Sequence, residues 1–300
     1  MAGAFDYLPG SRSFLDPLRA DADRPASARA VVIPFGLEAS VSYGGGTRQG
    51  PAAIIEASRQ LELFDPEFRR EVYLDYGIAA LAEPQIELAI PAALDQLAAL
   101  TGAVLDAGRF PFVLGGEHSL TAGAIRPFAG RFKDLVVLQF DAHADLRDGY
   151  QGEHYSHASA MRRVLDNEGV SLISVGIRAV SQPEVDFYDA NRDRVTIHWG
   201  HEQDRWDLDA IVAPLAGRPV YITFDIDAFD ATVMPATGTP TPEGLTFRLA
   251  LDLLRRACAK AGSVVGADLV EFAPIPNFHA YDFMAATLAY KMLSYALARR

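Results

Sequence analysis

The sequence has almost no cysteine: Cys258 is the only one in 300 residues. A single thiol forms no intrachain disulfide, so the core has to hold the fold, and Cys258, in the helical pattern Leu249 to Lys260, is expected to be a buried structural thiol. No apolar run is long enough to cross a bilayer, and there is no low-complexity linker or internal repeat. The opening Met1-Ala-Gly-Ala-Phe-Asp lacks the basic and apolar regions of a secretory signal, so a cytoplasmic protein without a membrane partner is expected. Positive charge is also short. The 27 Lys and Arg against 39 Asp and Glu leave a formal charge of −12, which argues against nucleic acid and favours a small cationic partner. What the chain does have is a 50% hydrophobic composition, enough for a large core. Its length suits a single domain over residues 1–300, with 1–28 as an N-terminal extension packing on it.

The most informative stretch is Leu135-Val-Val-Leu-Gln-Phe-Asp-Ala-His-Ala-Asp145, an apolar run that stops in Asp141, His143 and Asp145. Such a run reads as a buried strand, and in an extended segment residues two apart point the same way, so the three side chains are expected to converge. An Asp at a strand end is often only a turn residue or a helix cap. The pattern recurs, however. Val220-Tyr-Ile-Thr-Phe ends in Asp225 and Asp227, and Pro111-Phe-Val-Leu runs into Gly115-Gly-Glu-His-Ser119. Three strands that deliver acid or imidazole at the same kind of position point to one site.

Along the chain, Ala30 to Phe35 reads as the first strand and Glu71 to Asp75 as the second. The strands leading to His118 and Asp141 follow, then Leu172 to Ile177, Val195 to His198, Val220 to Phe224 and Val264 to Val270. Helical patterns lie between them: Pro51 to Leu61 with proline in its first turn, Pro91 to Gly108, a segment through Arg162 and Arg163, Pro183 to Ala190, Leu208 to Ala216, Phe247 to Ala261 and Asp282 to Arg299. The glycine loop Gly44 to Gly50 lacks the Lys-Ser/Thr of a phosphate-binding P-loop, and Arg48 within it is read as a loop anchor. Strands alternating with helices imply an α/β fold of three layers, α/β/α, around a mostly parallel sheet. Ligands bind such sheets beyond the carboxyl ends of the strands, where this chain puts its acids and histidines.

His118, Asp141, His143, Asp145, Asp225 and Asp227 form the candidate constellation. Four crowded carboxylates raise one another's pKa, and two divalent cations would cancel their charge. Oxygen-rich sites with imidazole suit Mn2+, although Ni2+, Co2+, zinc and iron accept the same ligand types. A metal pair about 3.5–4 Å apart activates a bridging water, so the residues point to metal-assisted hydrolysis.

These motifs also carry a family resemblance. Gly115-Gly-Glu-His-Ser119, Phe140-Asp-Ala-His-Ala-Asp145, Phe224-Asp-Ile-Asp-Ala-Phe-Asp230, Pro235-Ala-Thr-Gly-Thr-Pro240 and Gly244-Leu-Thr246 resemble, in order, the signatures of the ureohydrolases: arginases, agmatinases and relatives. The resemblance implies an arginase-like fold with an eight-stranded sheet and a dinuclear manganese centre, and it suggests a homotrimer or homohexamer. In the family's pattern, His118, Asp141, Asp145 and Asp225 hold one metal; His143 and Asp227 hold the other, with Asp141 and Asp225 bridging. A metal-bridging hydroxide, accepted by Asp145, is expected to attack the guanidinium carbon. Tyr155-Ser-His-Ala-Ser-Ala-Met-Arg-Arg163 resembles the agmatinase segment whose histidine passes a proton to the leaving amine, which implies this role for His157 ahead of its neighbour His154. Asp268-Leu-Val-Glu-Phe272 resembles the late Asp-x-x-Glu, which gives Glu271 to the guanidinium.

The same resemblance bears on substrate. Arginases read the α-amino-acid head with a Ser-Gly-Asn-x-His-Gly loop, and this chain has Tyr150-Gln-Gly-Glu-His-Tyr-Ser-His157 in its place. Agmatine, cleaved to putrescine and urea, is therefore the expected substrate, with guanidinobutyrate, guanidinopropionate and guanidine as alternatives. Glu117 departs from the usual Asp before the metal histidine, and Glu243 from a frequent Gly. A single-zinc, deacetylase-like site is disfavoured by His118 and Asp145, which complete a second metal site. A non-catalytic regulator would usually have lost a ligand. His198, His201 and His279 match no ligand motif and are expected at structural or surface positions.

Overall fold

Eight runs of β-branched, aliphatic and aromatic residues form one sheet in the computed structural model, which describes residues 5–299. The first four residues of the expected N-terminal extension, and Arg300, lie outside the described residues. In chain order the strands are β1 (Ala30–Phe35), β2 (Ile78–Ala80), β3 (Phe110–Gly115), β4 (Val136–Phe140), β5 (Ser171–Ile177), β6 (Val195–Trp199), β7 (Pro219–Asp225) and β8 (Ser263–Val270). They lie side by side as β2-β1-β3-β8-β7-β4-β5-β6, and every pairing in this sheet is parallel.

Alternation along each strand divides the apolar side chains between two faces. Val32, Phe112, Leu138 and Ile222 join one core cluster, while Val31, Val113, Val137 and Tyr221 join the other. Helices α1 (Gly50–Ser58), α4 (Phe247–Lys260) and α5 (Ala280–Leu297) cover the first face through Ile54, Leu253, Leu254 and Leu293. Helices α2 (Ile90–Asp106) and α3 (Gln182–Ala190) cover the second through Leu94, Leu97 and Tyr188. The result is the expected three-layer α/β/α arrangement. Cys258 is buried in the first core. Upstream of β1, Leu8 N donates to Ala80 O at 2.8 Å and Phe14 and Leu15 are fully buried. No helix among the described residues is long and apolar enough to cross a membrane.

The second strand differs from the expectation. Glu71 to Asp75 is not part of the main sheet: Arg70–Glu71 pairs antiparallel with Phe64–Asp65, and Val72–Asp75 is a 3-10 turn that buries Val72 and Tyr73. The sheet strand is Ile78–Ala80, entered through Gly77 at φ 65°. The apolar side chains of Val72 and Tyr73 were real core signals, but they are supplied by a turn, and the short Ile-Ala-Ala strand is too small-chained to stand out. The helix expected over Leu208 to Ala216 is likewise divided into Leu208–Val212 and a 3-10 turn at Ala213–Leu215, with Pro214 at the junction.

The strand order matters most for function. β3, β8, β7 and β4 are consecutive neighbours at the centre of the sheet. Because they run parallel, their carboxyl ends open on one edge, and the chain leaves those ends at His118, Glu271, Asp225 and Asp141.

Candidate active site

His118 follows β3 after Gly115 and Gly116. A Cβ at Gly116 would lie 2.0 Å from the carbonyl oxygen of Leu37, so only glycine lets the loop after β1 come this close. The imidazole of His118 is 1% exposed. Its Nε2 lies 2.9 Å from Thr223 Oγ1, and that hydroxyl donates to Asp268 Oδ1 at 2.6 Å. Asp268 is itself fully buried and accepts from Thr121 Oγ1 and Tyr221 OH. A hydroxyl has one proton, and Thr223 gives it to Asp268. His118 Nε2 must then donate, which leaves Nδ1 with a bare lone pair in the neutral ring.

That Nδ1 has no hydrogen-bond partner and faces Asp145 Oδ2 at 3.0 Å, Asp141 Oδ2 at 3.1 Å and Asp225 Oδ2 at 3.3 Å. A lone pair aimed at three carboxylate oxygens needs a cation among them, either a proton or a metal ion. Next to this group His143 Nδ1 lies 2.9 Å from Asp227 Oδ2 and 3.7 Å from Asp141 Oδ1. Ligand atoms of His118, Asp141 and Asp145, and separately of Asp141, His143 and Asp227, lie within 4.8 Å of one another. Two ligand groups thus share Asp141, and the donor set fits a pair of hard or borderline divalent ions.

The carboxylates are aimed by backbone and side-chain donors. Asp141 Oδ1 accepts from His143 N at 2.6 Å and Oδ2 from Gln139 Nε2 at 2.8 Å; Gln139 is fixed in turn by Ser174. Asp225 Oδ1 accepts from Asp227 N, and Asp227 Oδ1 from Ala142 N, which ties the ends of β7 and β4 together. Arg178 holds the chain beyond β7 by donating to the carbonyls of Asp227, Phe229 and Thr241. Gln139, Ser174, Thr223 and Arg178 were not singled out from sequence. The inward residues of an apolar strand give no hint until the neighbouring strand is known.

The three-residue alternation after β4 does not continue as an extended strand. Asp145 has φ 53°, in the left-handed region, with its carbonyl accepting from Arg162 N and the next N–H donating to Glu184 Oε1. The turn swings Asp145 to His118, whereas His143 goes to Asp227, so the three side chains meet at one centre as two adjoining groups that share Asp141. Glu271 is also left-handed, at φ 61°; its N–H donates to Gly116 O and its Oε1 accepts from His118 N at 2.7 Å. Such backbone costs about 1–3 kcal/mol per residue, and it persists where its surroundings hold it.

Charge crowding shifts these groups. Burial disfavours protonated His143, but Asp227 and Asp141 outweigh it and push the imidazole up to about 12. The same competition, with Asp141, Asp145 and Asp225 as partners, raises His118 well above its ordinary value. Burial and the charge of Asp141 push Asp145 up to about 7, burial raises Glu271 to about 8, and burial with Asp227 and Asp141 raises Asp225. Asp141 is lowered because its two imidazoles outweigh the effect of burial. In the absence of a metal, these shifts favour protonation at the positions whose charge a metal pair would neutralise.

A cavity of about 270 Å³ opens over this centre. Its lining includes Glu271, His157, Tyr150, Arg147 and the loop Ser40–Gly44, with Val41, Tyr43 and Val180 exposed at the rim. His157 begins a 3-10 turn, stands edge-on to Tyr150 and has its pKa lowered by burial. His154 instead packs on Tyr155 and reaches Arg163, and it is not among the cavity residues. His198 lies on β6, His201 in the turn after it, and His279 is exposed. In the glycine loop the anchor is Glu38, whose Oε2 accepts from Gly46 N and Arg48 N; the Arg48 guanidinium contributes a long bond to Glu38 O.

Comparison with known proteins gives a consistent picture. The model of the arginase family matches residues 28–294. An N(1)-aminopropylagmatine ureohydrolase of Synechocystis sp. is 36% identical over 279 residues, 90% of each chain. An agmatinase of Bacillus anthracis is 35% identical over 84% of this chain and 86% of its own. The solved agmatine ureohydrolase of Thermoplasma volcanium superposes with a TM-score of 0.81 at 31% identity, covering 90% of each chain.

Proposed function

Because the chain belongs to the arginase family, we propose that it is a manganese-dependent ureohydrolase that cleaves the C–N bond of a linear guanidino compound, with agmatine, giving putrescine and urea, as its substrate. The observation that carries this reading is the bare His118 Nδ1 among Asp141, Asp145 and Asp225, beside the His143 and Asp227 pair. His118, Asp141, Asp145 and Asp225 would hold one ion, and His143 and Asp227, with Asp141 and Asp225 shared, the other. When bound, such a pair would supply positive charge that neutralises the acids and would lower the pKa of the attacking water.

The chain's own residues supply the rest. Glu271 faces the cavity and, as a carboxylate, pairs with the incoming guanidinium, which in turn favours its charged form against burial. Asp145 accepts a hydrogen bond from the attacking water and keeps it aimed at the guanidinium carbon. As the C–N bond breaks, His157 passes a proton to the departing amine, and urea remains. We propose a single domain over residues 1–300, with 1–28 as an N-terminal extension packing on it, and a cytoplasmic homotrimer or homohexamer, which light scattering checks. Exposed Ile275, Phe278 and Phe283 support association.

A second reading, N(1)-aminopropylagmatine, is favoured by the Synechocystis relative and by the apolar rim of Val41, Tyr43 and Val180, which suits a longer polyamine tail. The deciding experiment is urea release by manganese-loaded protein given agmatine, aminopropylagmatine, arginine, guanidinobutyrate, guanidinopropionate or guanidine, repeated with Ni2+ and Co2+. Agmatine is expected to give the largest kcat/KM. Preference for aminopropylagmatine would move the assignment to the second reading, and no urea from any of the six would overturn both.

A further inference from the structure

Glu117 lies next to His118, yet its hydrogen bonds are with Ala39, Ser40 and Ser119 rather than with the candidate ligands. Its side chain is buried and accepts four hydrogen bonds: from Ala39 N and Ser40 N, both at 2.6 Å, from Ser40 Oγ at 2.8 Å, and from Ser119 Oγ at 2.5 Å. With donors at all four contacts, the carboxyl acts here only as an acceptor. It clamps the loop after β1 onto the loop after β3 and fixes the direction of the Ser40 hydroxyl proton.

The other side of Ser40 Oγ faces His157. It accepts from His157 N at 3.0 Å and lies 3.1 Å from His157 Nδ1. The one hydroxyl proton is committed to Glu117, so Nδ1 must be the donor of that last contact. In the neutral ring Nε2 is then unprotonated, and it lies 2.7 Å from Ser42 Oγ on the cavity wall. Edge-on contact with Tyr150, at 5.9 Å between ring centroids, restrains the ring's plane.

From this geometry we infer that Ser40, held by Glu117, is a positioning residue that fixes His157 as the Nδ1-protonated tautomer and makes Nε2 the nitrogen that exchanges a proton with the leaving amine. The inference rests on the reading of His157 as the proton carrier. In the step, Nε2 first takes up a proton from water in the cavity as the attacking water gives one up, forming the imidazolium; the C–N bond then breaks, its electron pair goes to the amine nitrogen, and the proton on Nε2 follows it. The ring returns to the neutral Nδ1–H form without having to turn. Ser42 occupies the place at Nε2 that the leaving nitrogen takes.

The test has an arm that does not depend on turnover. The full chain carrying 15N-labelled histidine, loaded with diamagnetic Zn2+, is examined by long-range proton–nitrogen NMR, with His157 assigned by the signal missing from His157→Asn. The wild type is expected to show the Nδ1-protonated pattern, and Ser40→Ala to lose it in favour of a tautomer mixture. An Nε2-protonated ring in the wild type, or an unchanged pattern in Ser40→Ala, overturns the inference. In kinetics, Ser40→Ala is expected to lower kcat about tenfold with KM within about twofold and manganese content unchanged. Ser40→Thr restores kcat, Glu117→Gln reproduces the loss, and the loss vanishes in a His157→Asn background. A loss that persists in that background, or one accompanied by loss of manganese, overturns the inference. If the wild type hydrolyses no guanidino compound, the proposed function fails while the NMR arm still decides the tautomer.

Discussion

Two imidazoles in this chain, His118 and His157, are each seated on a hydroxyl that is itself seated on a buried carboxylate. For His118 the hydroxyl is Thr223, the acid is Asp268 and the nitrogen held is Nε2. For His157 they are Ser40, Glu117 and Nδ1. What differs is the face left open. The free nitrogen of His118 is sealed among three carboxylates and has only a cation to meet. That of His157 looks past one serine into the cavity, where a proton has somewhere to go. In the proposed function the same device serves a metal ligand in one place and a proton carrier in the other, and what surrounds the free nitrogen separates the two roles.

The comparison is sharpest where a variant removes one role and leaves the other. Asp141→Asn touches both ligand groups, so it should abolish manganese binding, read by elemental analysis, and lower urea release by about 10³-fold or more, with circular dichroism showing the fold retained. Wild-type turnover in that variant would break the metal reading. His157→Asn should lower kcat by about 10²-fold while manganese content stays at the wild-type level. Loss of the metal there would place His157 with His118 and erase the distinction.

Thr223→Val, which removes the hydroxyl from His118 Nε2 and keeps the shape, should weaken manganese about tenfold, measured by titration against a chelator. Its pH dependence has a definite sign. Without metal, His118 is raised well above its ordinary value and His143 lies at about 12. Both rings therefore carry protons at neutral pH, and metal binding must displace them. Affinity should climb as pH rises, in wild type and variant alike, and manganese should be shed as pH falls. A flat or falling affinity over the neutral range would contradict the arrangement described for the two imidazoles.

Much of this was legible locally. Leu135 to Phe140 announced a buried strand, and the acids that follow it announced a site, because apolar runs and strand-end polar residues are properties of a few consecutive residues. The choice of His157 over His154 rested on a motif, and the cavity contains the former and not the latter. What failed also failed locally. Val72 and Tyr73 are as buried as strand residues, yet they sit in a 3-10 turn. Asp145 reaches His118 by a left-handed turn rather than by extended alternation. Periodicity reports which side chains are buried; it does not report the backbone conformation that buries them.

The sequence by itself determined the kinds of ligand, their place at strand ends, the layered α/β class and the family. Only the tertiary structure decided that β3, β8, β7 and β4 are neighbours, which brings His118 and Glu271 within 2.7 Å across 153 positions of chain. It also decided that Ser40 meets His157 across 117 positions. Strand order in a parallel sheet is set by which strands and crossover helices pack together, a global choice that leaves no mark on any one stretch. Hydroxyls and acids such as Thr223, Asp268, Ser40 and Glu117 acquire their roles only after that choice, because a hydrogen bond needs its partner within about 3 Å.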